Sequence, residues 1–253
     1  MNILNDFFRK FFVAPRIFRV MSGTLKGLNI YMAPRHGIKK ILGTYEPEVV
    51  TALNHVVNAD DVCIDAGCHI GYIALVLRKI VGKGGFVLAI DPIEANCVCV
   101  DNSAKANGFE NIKTGAYALG DSNSEATAHT FDDSNMANFM DSGFVNYSKK
   151  NETIFHVKTL DTVVNENHLS KVDFIKVDVE GYEYKLLIGA KEIIAKDHPK
   201  FLIEVHSSKI WPEIYDLLNN AGYEFADLRQ NKITKETYLN APDVFHVVAK
   251  TEK

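Results

Sequence analysis

Two short stretches gather the acids, bases and glycines that could do chemistry in this chain. Ile175-Lys176-Val177-Asp178-Val179-Glu180-Gly181-Tyr182-Glu183 brings a lysine and three carboxylates together, and Ile203-Glu204-Val205-His206 adds an acid and an imidazole. The two-residue period of a strand puts Lys176 and Asp178 on one face, and Glu204 and His206 on one face of a neighbouring strand. A lysine and a glutamate inside apolar strands are costly unless paired, so a structural Lys176–Glu204 ion pair is expected. Asp178 and His206 then stand at the strand tips, where either could take a proton from a bound acceptor. Glu180 and Glu183 suit the start of the following helix equally well as favourable charge. Asp178, Glu180 and His206 could also ligate a divalent cation, but their spacing is not a diagnostic ligand motif, so no metal is assigned.

The other stretch is Val62-Cys63-Ile64-Asp65-Ala66-Gly67-Cys68-His69-Ile70-Gly71. It reads as a buried strand entering a tight glycine turn that opens a helix, the unit that holds a nucleotide-like cofactor at the end of a parallel sheet. A dinucleotide turn needs a bare middle glycine where the pyrophosphate lies, and here His69 occupies that place. Asp65 adds a negative charge that repels phosphate and attracts an ammonium group. An adenosine cofactor without phosphate and with a cationic amino-acid tail meets both conditions, and S-adenosylmethionine is such a molecule. Phe86-Val87-Leu88-Ala89-Ile90 reads as the next strand and ends at Asp91, placed to accept hydrogen bonds from ribose hydroxyls. Methyl transfer from a sulfonium is an in-line displacement, which requires alignment, exclusion of water and a base for a hydroxyl acceptor.

These groups need a sheet to hold them. Helical spacing is predicted over Glu46 to Val57, Tyr72 to Ile80, Glu94 to Asn107, Glu183 to Ala195 and Ile210 to Asn220. Strands alternate with them, including Ile112 to Leu119, and Tyr223 to Arg229 and Val244 to Lys250 form an antiparallel pair at the end. The expected fold is α/β, a doubly wound, mostly parallel seven-stranded sheet closed by that C-terminal hairpin. Residues 46–253 make the cofactor-binding domain and 1–45 an accessory segment, in which Leu28 to Met32 is a further strand. Extended runs at Glu125 to Phe131 and Thr153 to Leu160 flank a long polar segment seeded with Met136, Phe139, Met140, Phe144 and Tyr147. That segment, 132–152, is the candidate substrate lid.

Bulk properties narrow the class. The 253 residues are 47% hydrophobic and carry a formal net charge of -4, ordinary for a globular chain and unlike a nucleic-acid binder with a concentrated basic face. No apolar run is long enough to span a bilayer and no signal-peptide pattern opens the chain. Cys63, Cys68, Cys97 and Cys99 lack C-x-x-C spacing and read as reduced thiols in a cytoplasmic protein. The aromatic and basic stretch from Asp6 to Val20 suits peripheral contact with an anionic membrane, but a helix folded back on the domain and broken near Pro15 is the expectation. Nothing in the sequence bears on oligomeric state.

From about Tyr45 to His206 the chain resembles the FkbM-type S-adenosylmethionine-dependent methyltransferases. Gly43-Thr44-Tyr45-Glu46-Pro47, the Asp65–Gly71 turn, Val157-Lys158-Thr159-Leu160-Asp161 and the Ile175–Glu183 stretch carry the likeness in this order. The resemblance implies an O-methyltransferase of sugars, polyketides or related metabolites. It implies that Asp65, Gly67 and Gly71 hold the methionine part, that Asp91 holds the ribose, and that Glu46 closes over the cofactor. The family usually reads Gly-Ala-Asn-Ile-Gly at the turn and Glu-Pro at the ribose position, whereas this chain has Cys68, His69 and Asp91. His69 is therefore counted with the cofactor-binding residues as the one that would change affinity. A nicotinamide oxidoreductase, opposed by His69, and a non-catalytic scaffold remain as alternatives.

Overall fold

The computed structural model describes residues 14–130, 137–139, 151–239 and 244–252. Strands Arg16–Arg19 (β1) and Asn29–Met32 (β2) pair antiparallel as a separate hairpin. Residues 16–19 are thus extended where a helix over 6–20 is expected. Pro15 lacks the N–H a helix needs, and Arg16-Ile17-Phe18-Arg19 finds a partner in β2. Residues 1–13 lie outside the described ones. Two helices follow, Ile38–Leu42 (α1) and Pro47–Val56 (α2).

The alternating β/α core then runs Val62–Ala66 (β3), Tyr72–Val81 (α3), Phe86–Ile90 (β4), Glu94–Asn107 (α4) and Ile112–Gly115 (β5). The single strand expected over Ile112 to Leu119 divides after Gly115. Its second part, Ala118–Leu119 (β6), joins another sheet with Ser124–Thr130 (β7), Ala137–Phe139 (β8) and Asn151–Lys158 (β9). β7 pairs antiparallel with β9 along its whole length, so the two extended runs are the legs of one ribbon. Apart from β8 and the first residues of β9, the expected lid at 132–152 lies outside the described residues.

The chain returns to the main sheet through Leu160–Glu166 (α5), Phe174–Val177 (β10), Glu183–Ile188 (α6), Lys191–Asp197 (α7) and Lys200–Val205 (β11). The one helix expected over Glu183 to Ala195 is broken at Gly189-Ala190. Asp161 at the start of α5 causes the break: its N–H donates to the Gly189 carbonyl, and its carboxylate accepts the Glu192 and Ile193 N–H groups at 3.0 and 3.1 Å. Those donors are the orphans of a new helix start. Trp211–Asn220 (α8), Tyr223–Ala226 (β12), Lys232–Ile233 (β13) and Phe245–Thr251 (β14) complete the fold.

The main sheet has the order β13-β12-β14-β11-β10-β3-β4-β5. β11, β10, β3, β4 and β5 are parallel, and β14 enters antiparallel between β11 and β12. The seven expected strands are present, with the two-residue β13 added at one edge. Because β3 starts the sheet in the middle and the chain returns on its other side at β10, the strand order reverses between them. A crevice forms at such a switch point. Period-two alternation splits the core: Ile64, Ile175 and Ile203 pack under α5–α8, while Cys63, Phe174 and Leu202 pack under α2–α4.

Candidate active site

The register of three neighbouring strands assembles the site. Lys176 is level with Asp65 on β3 and with Leu202 on β11. Glu204 is therefore two residues too far along its strand to meet Lys176, and the expected Lys176–Glu204 pair does not form. Lys176 Nζ lies 2.8 Å from Asp178 Oδ2 and 3.7 Å from Asp65 Oδ1. Glu204 pairs instead across the sheet with His246, its register partner on β14, at 3.3 Å. Burial alone would lower the Lys176 pKa, but Asp178 and Asp65 hold the ammonium well above its usual range. Lys176 in turn keeps Asp178 ionised, below the ordinary carboxylate value despite burial.

Asp65 is fully buried, and neither of its oxygens finds a hydrogen-bond donor among the described residues. Burial pushes its carboxyl up to about 6, with Lys176 opposing. Above it, the turn from Gly67 to Gly71 forms one wall of a cleft that Lys40, Tyr45, Glu46, His69, Lys176 and Asp178 also line. Glu46, expected to close over a cofactor, stands in this cleft in a left-handed conformation, φ 42°, just before α2. Lys40 is buried beside it over the Tyr45 ring, 3.8 Å from the centroid, and burial brings its pKa down to about 8.

The two glycines serve the packing of the turn. A Cβ on Gly67 would meet the Asp178 carbonyl oxygen at 1.7 Å, so its bareness lets the turn lie directly on the end of β10. A Cβ on Gly71 would meet Val100 of α4 at 2.6 Å, which makes that glycine a helix-packing residue. His69 is left-handed, φ 48°. Asparagine and histidine tolerate that region better than most residues, which explains why one can stand for the other here. The His69 N–H donates to Asp91 Oδ2 at 2.9 Å, while Asp91 Oδ1 accepts from Ile93 N–H and the Asn96 amide, each at 2.9 Å. Asp91 thus ties the turn to β4, and a ribose would share oxygens already bonded. Burial, opposed by those donors, puts its carboxyl at about 6.

His206 is brought to Asp178 as expected, and carboxylates surround it. Its Nδ1 lies 2.8 Å from Glu183 Oε1, which also accepts the Gly181 N–H at 2.8 Å. Its Nε2 stands 3.6 Å from Asp178 Oδ1, 3.6 Å from Glu180 Oε2 and 4.0 Å from Glu204 Oε1. Burial would lower the imidazole pKa, but Glu183 and the other acids raise it to about 9. Glu180, left-handed at φ 52°, is pushed up to about 7 by burial, with His206 opposing.

A family model, the methyltransferase FkbM domain, matches residues 65–225 of this sequence. The chain belongs to the FkbM methyltransferase family. The FkbM methyltransferase of Methylobacillus flagellatus KT shares its fold at 20% identity and a TM-score of 0.51, over 81% of this chain and 51% of that one. This chain therefore spans about half the length of that protein. A precorrin-6y C5,15-methyltransferase from Geobacter metallireducens GS-15 has a TM-score of 0.50 at 11% identity, over 85% of this chain and 93% of that one. No curated protein matches the sequence. No helix among the described residues is long and apolar enough to cross a membrane.

In this FkbM-family chain, the sequence points to Asp178 and His206 at the strand tips and assigns Glu183 and Glu204 no role at the imidazole. The signal available was chemical: Glu183 carries a carboxylate in a position otherwise fit for core packing, and it is fully buried. Glu180 reads in the sequence as helix-start charge or a metal ligand, and its backbone ahead of Gly181 carries it to His206 instead.

Proposed function

We propose that this chain transfers a methyl group from S-adenosylmethionine to a hydroxyl oxygen of a small molecule or glycan. The observation that carries the reading is the continuous row Asp65, Lys176, Asp178 and His206 across the switch point, under a turn whose buried acid, 3.7 Å from the Lys176 ammonium, accepts no hydrogen bond among the described residues. A cationic amino-acid tail would add a hydrogen-bond donor to the charge that Lys176 already supplies to Asp65. The residues present fit that cofactor: Asp65 and the Gly67–Gly71 turn, with His69, would hold the methionine part, Asp91 the ribose, and Glu46 the open side. When bound, the cofactor supplies an electrophilic methyl on a sulfonium. The chain's own groups then align the acceptor and remove its proton. Asp178, kept ionised by Lys176, orients the hydroxyl with His206. Glu180 is matched to accept a proton at neutral pH. In this reading 46–253 is the cofactor domain, 1–45 the accessory segment and 132–152 the lid.

Calorimetric titration with S-adenosylhomocysteine, run beside NAD and NADP, tests the cofactor class. Selective binding of the homocysteine product is expected, and binding of a dinucleotide instead would overturn the assignment. Asp178→Asn is expected to keep cofactor binding and lose most turnover, at least tenfold in kcat. Unchanged turnover would remove Asp178 from the chemistry.

A further inference from the structure

We infer that Asp178, Glu204 and His206 form a binding site for a divalent first-row metal cation beside the acceptor position. One oxygen or nitrogen from each of the three lies within 4.8 Å of the others. Bonds of about 2.1 Å to a shared ion place donor atoms roughly 3 to 4 Å apart, and the carboxylate oxygens around His206 Nε2 stand at 3.6 and 4.0 Å. The residues come from two adjacent strand ends, β10 and β11, so the backbone rather than long flexible side chains sets their spacing.

The imidazole distinguishes this group from a simple gathering of acids. His206 is 6% exposed, and a fully buried Glu183 carboxylate holds its Nδ1. Glu183 is itself held by the Gly181 N–H. A histidine whose second nitrogen is fixed on a carboxylate has its tautomer and ring orientation set, the usual support of a metal-bound imidazole. That turns Nε2 toward Asp178 and Glu204. The Asp178 oxygen facing His206 is Oδ1, while Oδ2 is the one bonded to Lys176, so the lysine does not fill the place between the donors. Glu180 stands alongside and remains available to take a proton. One nitrogen with carboxylate oxygens suits Mn²⁺ or a similar ion better than the all-oxygen shells of Mg²⁺ and Ca²⁺. Such an ion would fix an oxygen of the acceptor, and a second vicinal oxygen where there is one. The acceptor class is then a diol or hydroxy-carbonyl compound, a refinement that rests on the methyl-transfer reading, whereas the cation site itself does not.

The test is a Mn²⁺ titration of the purified full chain, first stripped with chelator, read by loss of the free-ion electron paramagnetic resonance signal. One Mn²⁺ per chain is expected, with affinity at least tenfold weaker in His206→Ala and in Glu204→Gln. Glu183→Gln, which contacts the imidazole at Nδ1 and not at Nε2, is expected to weaken binding by about tenfold. Circular dichroism confirms that each variant is folded, and Glu204→Gln, at a partly exposed position, keeps the test informative if Glu183→Gln is not. No bound ion at millimolar Mn²⁺, or binding that ignores Glu204→Gln and His206→Ala, would overturn the inference and leave His206 simply as an imidazole held among these acids. A parallel homocysteine-product titration separates the two readings. Product bound without Mn²⁺ removes the metal site alone, and Mn²⁺ bound without product keeps it while removing the methyl-transfer reading.

Discussion

At the scale of single residues, the cofactor role proposed for Asp65 is set against its stability. Its carboxyl, raised from 3.8 to about 6 by burial, is easier to protonate in the folded chain than in the unfolded one. The stability it contributes is full below the unfolded value and is lost as pH rises through about 6, on the order of 3 kcal/mol for a shift of that size. Asp65→Asn is therefore expected to leave the melting temperature of the cofactor-free protein at pH 7 unchanged or higher, since Lys176 keeps Asp178. The same variant should bind S-adenosylhomocysteine at least tenfold more weakly by calorimetry. Undiminished binding would show that Asp65 is only a buried acid. In the wild-type chain the ionised carboxylate is the form that attracts an ammonium group, so product affinity should fall as pH drops through 6 toward 5. Asp91 at about 6 would act in the same direction.

Among elements, the contact between α3 and α4 shows how the turn is held. Gly71 opens α3 at φ 85°, and its bare face meets Val100. Gly71→Ala forces both an unfavourable backbone conformation and a clash, at a cost of about 2 to 4 kcal/mol. Val100→Ala removes the opposing methyl groups. The double variant should then be less destabilised than the sum of the two single ones, by about 1 kcal/mol or more in urea unfolding. Strict additivity would mean that Gly71 is needed for its φ alone. The spacing of α3 and α4 was plain in the sequence, because apolar residues recur at helical intervals and a glycine ends each helix. The break between α6 and α7 was not, because Asp161, which supplies the acceptors at that break, lies thirty or so residues away.

For the whole molecule, the question is how the N-terminal hairpin is joined to the sheet domain. The free edge of β2 is satisfied by side chains of α4. Asn107 Oδ1 accepts the Asn29 N–H at 2.8 Å, the Asn107 amide donates to the Asn29 carbonyl at 2.6 Å, and Ser103 Oγ accepts the Tyr31 N–H at 2.8 Å. Asn29 returns a bond to the Ala106 carbonyl at 3.0 Å. Beneath these bonds Leu25, Ile30 and Met32 are fully buried in the core shared with α2–α4. Asn107→Ala leaves a part-buried donor and acceptor of β2 unmatched, worth about 1 to 3 kcal/mol. Limited proteolysis should then cut the variant within 14–32 at least several-fold faster than the wild type. Equal rates would mean that the apolar contacts alone hold the hairpin.

The sequence by itself determined what is written locally: the alternation of strands and helices, the acid-glycine turn after the first core strand, and the acids and imidazole at the ends of β10 and β11. Side-chain period, caps and turn residues act over a few positions and can be read there. Tertiary structure alone decided who meets whom. Lys176 faces Asp65 because β10 pairs with β3 in that register, and Glu204 meets His246 because β14 inserts beside β11. The carboxylates around His206 come from as far as 28 residues before it and converge only when parallel strands end side by side. A one-residue slip of either strand would turn those side chains to the opposite face of the sheet, and no local signal records which register the packed sheet adopts.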